Sequence, residues 1–208
     1  MQIEPFPLER VGRSKHTYKT MITSLDQKTA LVLIDLQKGI VAFPQVADVI
    51  GGVLANASKL VAAFREAGQP IVFINVDPGD SRWPQTRKDS GNNRMAFPPE
   101  FIEIAEGAGV QPGDTIITKH SWGAFWETEL HSHLQQLGVT GIVLGGVSTS
   151  IGVEGTGRQA FELGYNISFA IDAMADTLAS AHEHSIKTIF PRMGEVGSAE
   201  DVIVKLNA

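Results

Sequence analysis

The 208-residue chain contains no cysteine. Disulfides, thiolate metal ligation and covalent thiol catalysis each need a sulfur atom that is not there, so all three are excluded together. Clustered positive charge is missing too: the formal net charge is −6, and no run of basic residues interrupts the acidic balance. A duplex or an anionic bilayer is held by a dense cationic surface, so neither nucleic acid nor a membrane is an expected partner. The apolar stretches are short and broken by Asp or Gly, below the roughly 18 to 20 residues that span a bilayer. Met1 to Lys19 mixes Glu4, Glu9, Arg10, Arg13 and Lys15 with few apolar residues, unlike the uninterrupted core of a signal peptide. A cytoplasmic protein is expected.

What is present suffices for one substantial core: 43% of residues are apolar, and the 19% that are charged are interspersed in both signs. From Thr29 onward, short β-branched runs alternate with helical patterns, the rhythm of a parallel sheet covered on both faces. Strands are expected at 30–35, 70–75, 115–119, 141–145 and 166–171, with a weaker sixth near 193–196. Each reads as a nearly continuous apolar run, as a strand buried on both faces should. Helical spacing over 46–67 puts Val49, Val53, Leu60 and Phe64 on one side. This helix and those at 127–137 and 153–163 stop at Gly68, Gly138 and Gly164. The aperiodic stretch 77–99 reads as a long loop at the end where strands finish. Residues 1–24 are expected as an extended arm, either surface decoration or a subunit contact, and 25–208 as one α/β domain.

Ligands of open parallel sheets bind beyond the carboxyl ends of the strands, so polar residues that close an apolar strand are the first candidates. Asp35 closes the first strand, Lys119 the third, and Gly145-Gly146-Val147-Ser148-Thr149 the fourth. A carboxylate beside an ammonium at a water-poor edge suits proton transfer, because burial and the opposite charge pull its pKa in opposite directions. The alternative is a salt bridge tying two strand ends. The turn from Ser148 through Thr149, Ser150 and Gly152 runs from strand into helix and offers backbone N–H groups to an anion; alternatively it is an ordinary turn capped by Thr149 or Ser150. Phe43 and Trp122 are expected in a pocket wall, and Trp126 in packing. His131 and His133 are expected in solvent, and His182 and His184 on a helix after the fifth strand. Arg82, Arg87 and Arg94 are candidates for a substrate carboxylate.

Together "LVLIDLQ" with Asp35 and Gln37, "TKHSWGAFWETEL" with Lys119, "GGVSTSIGVEGTGRQAFELGY" and "IDAMAD" resemble the isochorismatase-like hydrolases from Thr29 to Val204. The resemblance implies a three-layer αβα sandwich around a six-stranded, mostly parallel sheet, and a homo-oligomer. It also implies an active site of Asp35, Lys119 and the turn, with a non-proline cis peptide between Val147 and Ser148. Gln37, Phe43, Trp122, Val147, Ser148, Thr149 and Ser150 would bind substrate. In cysteine-using members the nucleophile falls at Gly152. Isochorismatases proper also carry Gly there and hydrolyse a vinyl ether by acid chemistry, so Asp35 would donate the proton and water would attack.

Ser148 and Ser150 depart from the aromatic and His of those enzymes, which leaves the pocket less bulky. Nicotinamidases carry metal-binding His after the second strand, whereas 76–80 has none, so no metal or cofactor is expected. The expected function is hydrolysis of a small polar or carboxylate-bearing metabolite without a thiol intermediate. The alternatives are a catalytically silent binding or scaffold protein and a serine-dependent amide hydrolase.

Overall fold

Six apolar runs form strands in the computed structural model of the chain, which describes residues 21–79, 87 and 97–208. Among the described residues, β1 (Thr29–Ile34), β2 (Ile71–Val76), β3 (Thr115–Lys119), β4 (Gly141–Val147), β5 (Asn166–Ala175) and β6 (Glu195–Gly197) make one parallel sheet in the order β3-β2-β1-β4-β5-β6. Successive side chains of a strand point to opposite faces, and here both faces are apolar. Leu31 and Leu33 enter one cluster, while Ala30, Val32 and Ile34 enter the other.

The helices are α1 (Lys38–Val41), α2 (Ala47–Glu66), α3 (Leu130–Gln136), α4 (Glu154–Glu162), α5 (Ala179–His184) and α6 (Ala199–Leu206). α2 covers the first face with Val53, Ala57, Leu60, Val61 and Phe64, a set spaced along a single helical stripe, and α6 adds Ala199 and Val202. α3 and α4 cover the second face through Leu130, Leu134 and Ala160. The result is the expected three-layer α/β architecture.

Several boundaries differ from the sequence reading. β4 and β5 run on to Val147 and Ala175, because their carboxyl ends stay paired past a bulge between Leu144 and Gly146. The helix expected from 127 begins at Leu130, and Val49 faces outward, 53% exposed. α6 was not foreseen, although a capping box marks its start: Ser198 accepts from the Asp201 N–H, and Asp201 accepts from the Ser198 N–H. Of the expected arm, 1–20 lie outside the described residues. The remainder belongs to the folded body, since Ile22 is buried in the core and Thr23 donates its N–H to Glu195. By length and composition alone, Pro44–Glu66 is long and apolar enough to cross a bilayer, with mean hydropathy 1.4. In the fold this segment lays its apolar stripe on the sheet.

From β1 the chain moves outward to β2 and β3, then returns to place β4 on β1's other side. Such a reversal opens a crevice at the carboxyl ends of β1 and β4. Gly146 makes the approach possible: its φ is +126°, and a Cβ there would lie 2.0 Å from the Ile34 carbonyl oxygen. Only glycine fits.

Candidate active site

Asp35 leaves the end of β1 with φ of 52°, a left-handed conformation that Asp tolerates better than most side chains at a cost of roughly 1 kcal/mol. Its N–H is held by the Ile74 carbonyl at 2.8 Å. Lys119 closes β3, which is not β1's neighbour, since β2 lies between them. The long lysine side chain spans that gap and donates to Asp35 Oδ2 at 2.9 Å and to the Ser121 carbonyl at 3.0 Å. Both partners are buried, Lys119 at 2% and Asp35 at 5% exposure. Among the described residues, Asp35 Oδ1 has no hydrogen-bond partner. Burial pushes the Asp35 carboxyl up to about 6, against the pull of the Lys119 ammonium.

The peptide between Val147 and Ser148 is cis, as the resemblance implied. Beyond it, Thr149–Val153 forms a single wide π turn that runs into α4, with the Ile151 and Val153 N–H groups both donating to the Ser148 carbonyl. This turn is fixed from behind. Thr149 Oγ1 lies 2.8 Å from His182 Nδ1, and Asp176 Oδ2 accepts from both the N–H and the hydroxyl of Ser150. Thr156 donates to the Gly152 carbonyl and accepts from the Ala124 N–H, which joins the turn to the segment after β3. A Cβ built on Gly152 would stand 2.9 Å from Ile34 Cγ2 and 3.1 Å from Asp35 Oδ2. The missing side chain therefore leaves open the space against the carboxylate.

A cavity of about 250 Å³ collects these groups. Of the sequence candidates, Asp35, Lys119, Gly152, Phe43, Trp122, Val147 and Ser148 line it. Gln37, Thr149 and Ser150 do not. Gln37 is fully buried, and its amide bonds the Val76 N–H, the Val76 carbonyl and the Phe101 carbonyl, so it pins β2 and the segment at 101 beside the cavity. Thr149 and Ser150 brace the turn. The sequence reading missed Ile40, Val76, Pro78, Phe97, Phe101, Ser121 and Ile151 in the wall.

Outside the cavity, Trp126 is 61% exposed rather than packed. His131 is half-buried, not merely solvated, and lies 2.9 Å from the Tyr165 hydroxyl. His182 is half-buried behind the turn, while His184 is exposed. Arg82 and Arg94 lie outside the described residues, and Arg87 is exposed. Among the described residues, no three His, Asp or Glu side chains are grouped to share a metal ion.

The model of the isochorismatase domain matches residues 29–201. The chain is 43% identical over 180 residues to YwoC, an isochorismatase family protein of Bacillus subtilis (strain 168), covering 85% of this chain and 93% of that one. It is 26% identical over 204 residues to the ureidoacrylate amidohydrolase RutB of Variovorax paradoxus (strain S110), covering 84% of this chain and 80% of the relative. An isochorismatase family protein of Burkholderia thailandensis superposes with a TM-score of 0.83 at 37% identity, over 89% of this chain and 98% of its own.

Proposed function

The chain belongs to the isochorismatase family of hydrolases, and from that premise we propose that it hydrolyses a small molecule by acid chemistry at Asp35, with water as the nucleophile. The observation that carries this reading is the state of Asp35: a buried carboxyl in the cavity wall, raised to about 6, with Oδ1 unpartnered among the described residues and no side chain at Gly152 to fill the space beside Oδ2. A group with a pKa near the operating pH can both hold a proton and give it up, which general acid catalysis requires.

An enol ether is the substrate type that such a site suits. Asp35 protonates the alkene carbon, the adjoining carbon becomes oxocarbenium-like, and water adds to it. The resulting hemiketal collapses to a carbonyl and an alcohol, and the proton released by water restores Asp35. Lys119 stabilises the carboxylate formed in between. Amide hydrolysis, suggested by the likeness to RutB, asks for a stronger nucleophile. Ser150 is engaged with Asp176, and His182 pairs with Thr149 rather than with a serine.

A turnover screen of isochorismate, other enol ethers and small amides, run beside Asp35→Asn and Lys119→Ala, tests the proposal. Enol-ether turnover abolished by Asp35→Asn is the expected result. Amide turnover that survives Asp35→Asn would sink the acid mechanism.

A further inference from the structure

The turn beside Asp35 is wider than a helix ordinarily makes. The Ser148 carbonyl accepts from the Val153 N–H, five residues on, whereas in an α-helix it would take the N–H of the fourth, Gly152. Such π turns are rare and short, so something must hold this one open. Winding it in to α geometry would rotate the backbone at Gly152 away from its present place, where a Cβ would stand 3.1 Å from Asp35 Oδ2. Two hydrogen bonds grip the turn, one at each end. Thr149 opens it, fully buried, with Oγ1 2.8 Å from His182 Nδ1. Glu154 follows it and accepts from the hydroxyl of Ser185, also fully buried, at 2.6 Å. Thr149 and Glu154 are five residues apart, the span that closes a π turn. His182 and Ser185 face them from the junction of α5 with a second π turn, Ser185–Ile189. Burial, against the fields of Asp176 and Glu183, keeps His182 below the usual imidazole pKa. Near neutral pH the ring is therefore uncharged and able to accept from the Thr149 hydroxyl.

We infer that His182 and Ser185 are positioning residues for the hydrolysis: by gripping Thr149 and Glu154 they keep the turn in its wide form, which sets the Gly152 backbone against Asp35 and preserves the space between them. Neither residue lines the cavity, so both act through the turn. The larger share falls to His182, because Thr149 is adjacent to Ser148 in the cavity wall, whereas Glu154 is also held by Arg158 at 2.8 Å. The inference rests on the acid-hydrolase reading only in taking the Asp35 cavity as the site of reaction.

The test is amide hydrogen exchange and carboxyl titration by NMR on the full chain, with Thr149→Val, which keeps the branched shape and removes the hydroxyl, and with His182→Ala, His182→Asn and Ser185→Ala. The Val153 N–H, whose bond to Ser148 defines the wide turn, should exchange at least about tenfold faster in Thr149→Val and His182→Ala. The Asn166 N–H, bonded to the Thr140 carbonyl at the other end of the sheet, should exchange as in the wild type. In the same two variants Asp35 should titrate lower, toward the ordinary carboxylate value, as water reaches it. His182→Asn returns an amide near the place of Nδ1 and should restore both readouts, and Ser185→Ala should move them in the same direction by less. Combining Thr149→Val with His182→Ala should add nothing to Thr149→Val alone, since both remove one bond. Wild-type exchange at Val153, or an unmoved Asp35 titration, overturns the inference. So does equal loss of protection at Val153 and Asn166, which would make the pair a prop of the whole fold. Both readouts are taken without substrate, so turnover that survives Asp35→Asn would end the acid mechanism and leave this inference to stand or fall by itself.

Discussion

The two ends of the sheet each carry a cavity built around an aspartate, and the larger one is the quieter. At the amino ends of β1, β4 and β5, about 490 Å³ is lined by Asp26, Gly141, Tyr165 and Asn166 among others. There the Asp26 carboxylate accepts from Thr140 at 2.6 Å and from Asn166 at 2.9 Å, and its backbone carbonyl accepts from Thr29. At the carboxyl end the space is about 250 Å³, yet Asp35 is buried, half-satisfied and shifted to about 6. Volume therefore says little about chemistry here. A satisfied carboxylate holds structure, and one kept short of partners at some cost in stability is available to a substrate.

The sharpest way to break this comparison is to remove each carboxylate charge in turn. Asp35→Asn should lower kcat by about 100- to 10,000-fold, the range of a lost general acid, with the fold kept by circular dichroism. Asp26→Asn should leave kcat unchanged. The pH profile gives the direction independently. Asp35 is the active acid when protonated, so kcat/KM should fall as pH rises through about 6. A rise over the same interval would make Asp35 a general base. Steady-state kinetics on a substrate from the turnover screen decides.

Lys119→Ala comes next in size. It leaves Asp35 buried without its cation, and breaking a buried pair costs about 3 to 5 kcal/mol, measurable by urea denaturation near pH 7. The dependence on pH has a definite sign. The folded wild type holds the Asp35 proton more tightly than the unfolded chain, at about 6 against 3.8. This group's contribution is therefore fully present below the lower value and is lost as pH rises through the upper one. Without Lys119 the carboxyl should titrate higher still, so the variant's deficit should shrink on acidification. A deficit independent of pH would show that the pair acts only through packing.

Much of this contrast was legible in the sequence. Asp35 and Lys119 stood out because each closes an apolar strand with a charge, and charged groups do not end buried strands without a partner. The glycine stops were equally plain, and Gly68, Gly138 and Gly164 all have positive φ. Gln37 misled, because its partners Val76 and Phe101 are 39 and 64 residues away, and no local pattern announces a side chain that bonds distant backbone. Phe97 and Phe101 were hidden for the same reason, one inside and one just beyond the far end of an aperiodic stretch. The start of α6 is marked in the sequence by Ser198 and Asp201, but the helix that follows, Ala199–Leu206, is too short to set a helical period.

The smallest effect offers the cleanest separation of the two ends, because two glycines present nearly equal crowding. A Cβ on Gly152 would lie 2.9 Å from Ile34 Cγ2 and 3.1 Å from Asp35 Oδ2, while one on Gly141 would lie 2.9 Å from Thr29 Oγ1 and 3.1 Å from Asp26 Cβ. Neither glycine has a positive φ, so steric fit alone governs the cost. Gly152→Ala and Gly141→Ala should therefore each lose about 1 to 3 kcal/mol of stability, as overpacked sites do. Their kinetics should diverge. The methyl group at 152 occupies the space against Asp35 Oδ2, where the proposal places water or the scissile group, and should lower kcat/KM by about tenfold, since small misplacements near reacting atoms are strongly felt. The methyl at 141 touches a carboxylate whose partners are already made, and should leave kcat/KM as it was. Equal losses of activity in the two variants would mean that strain spreads through the sheet, and that the two ends are mechanically one site.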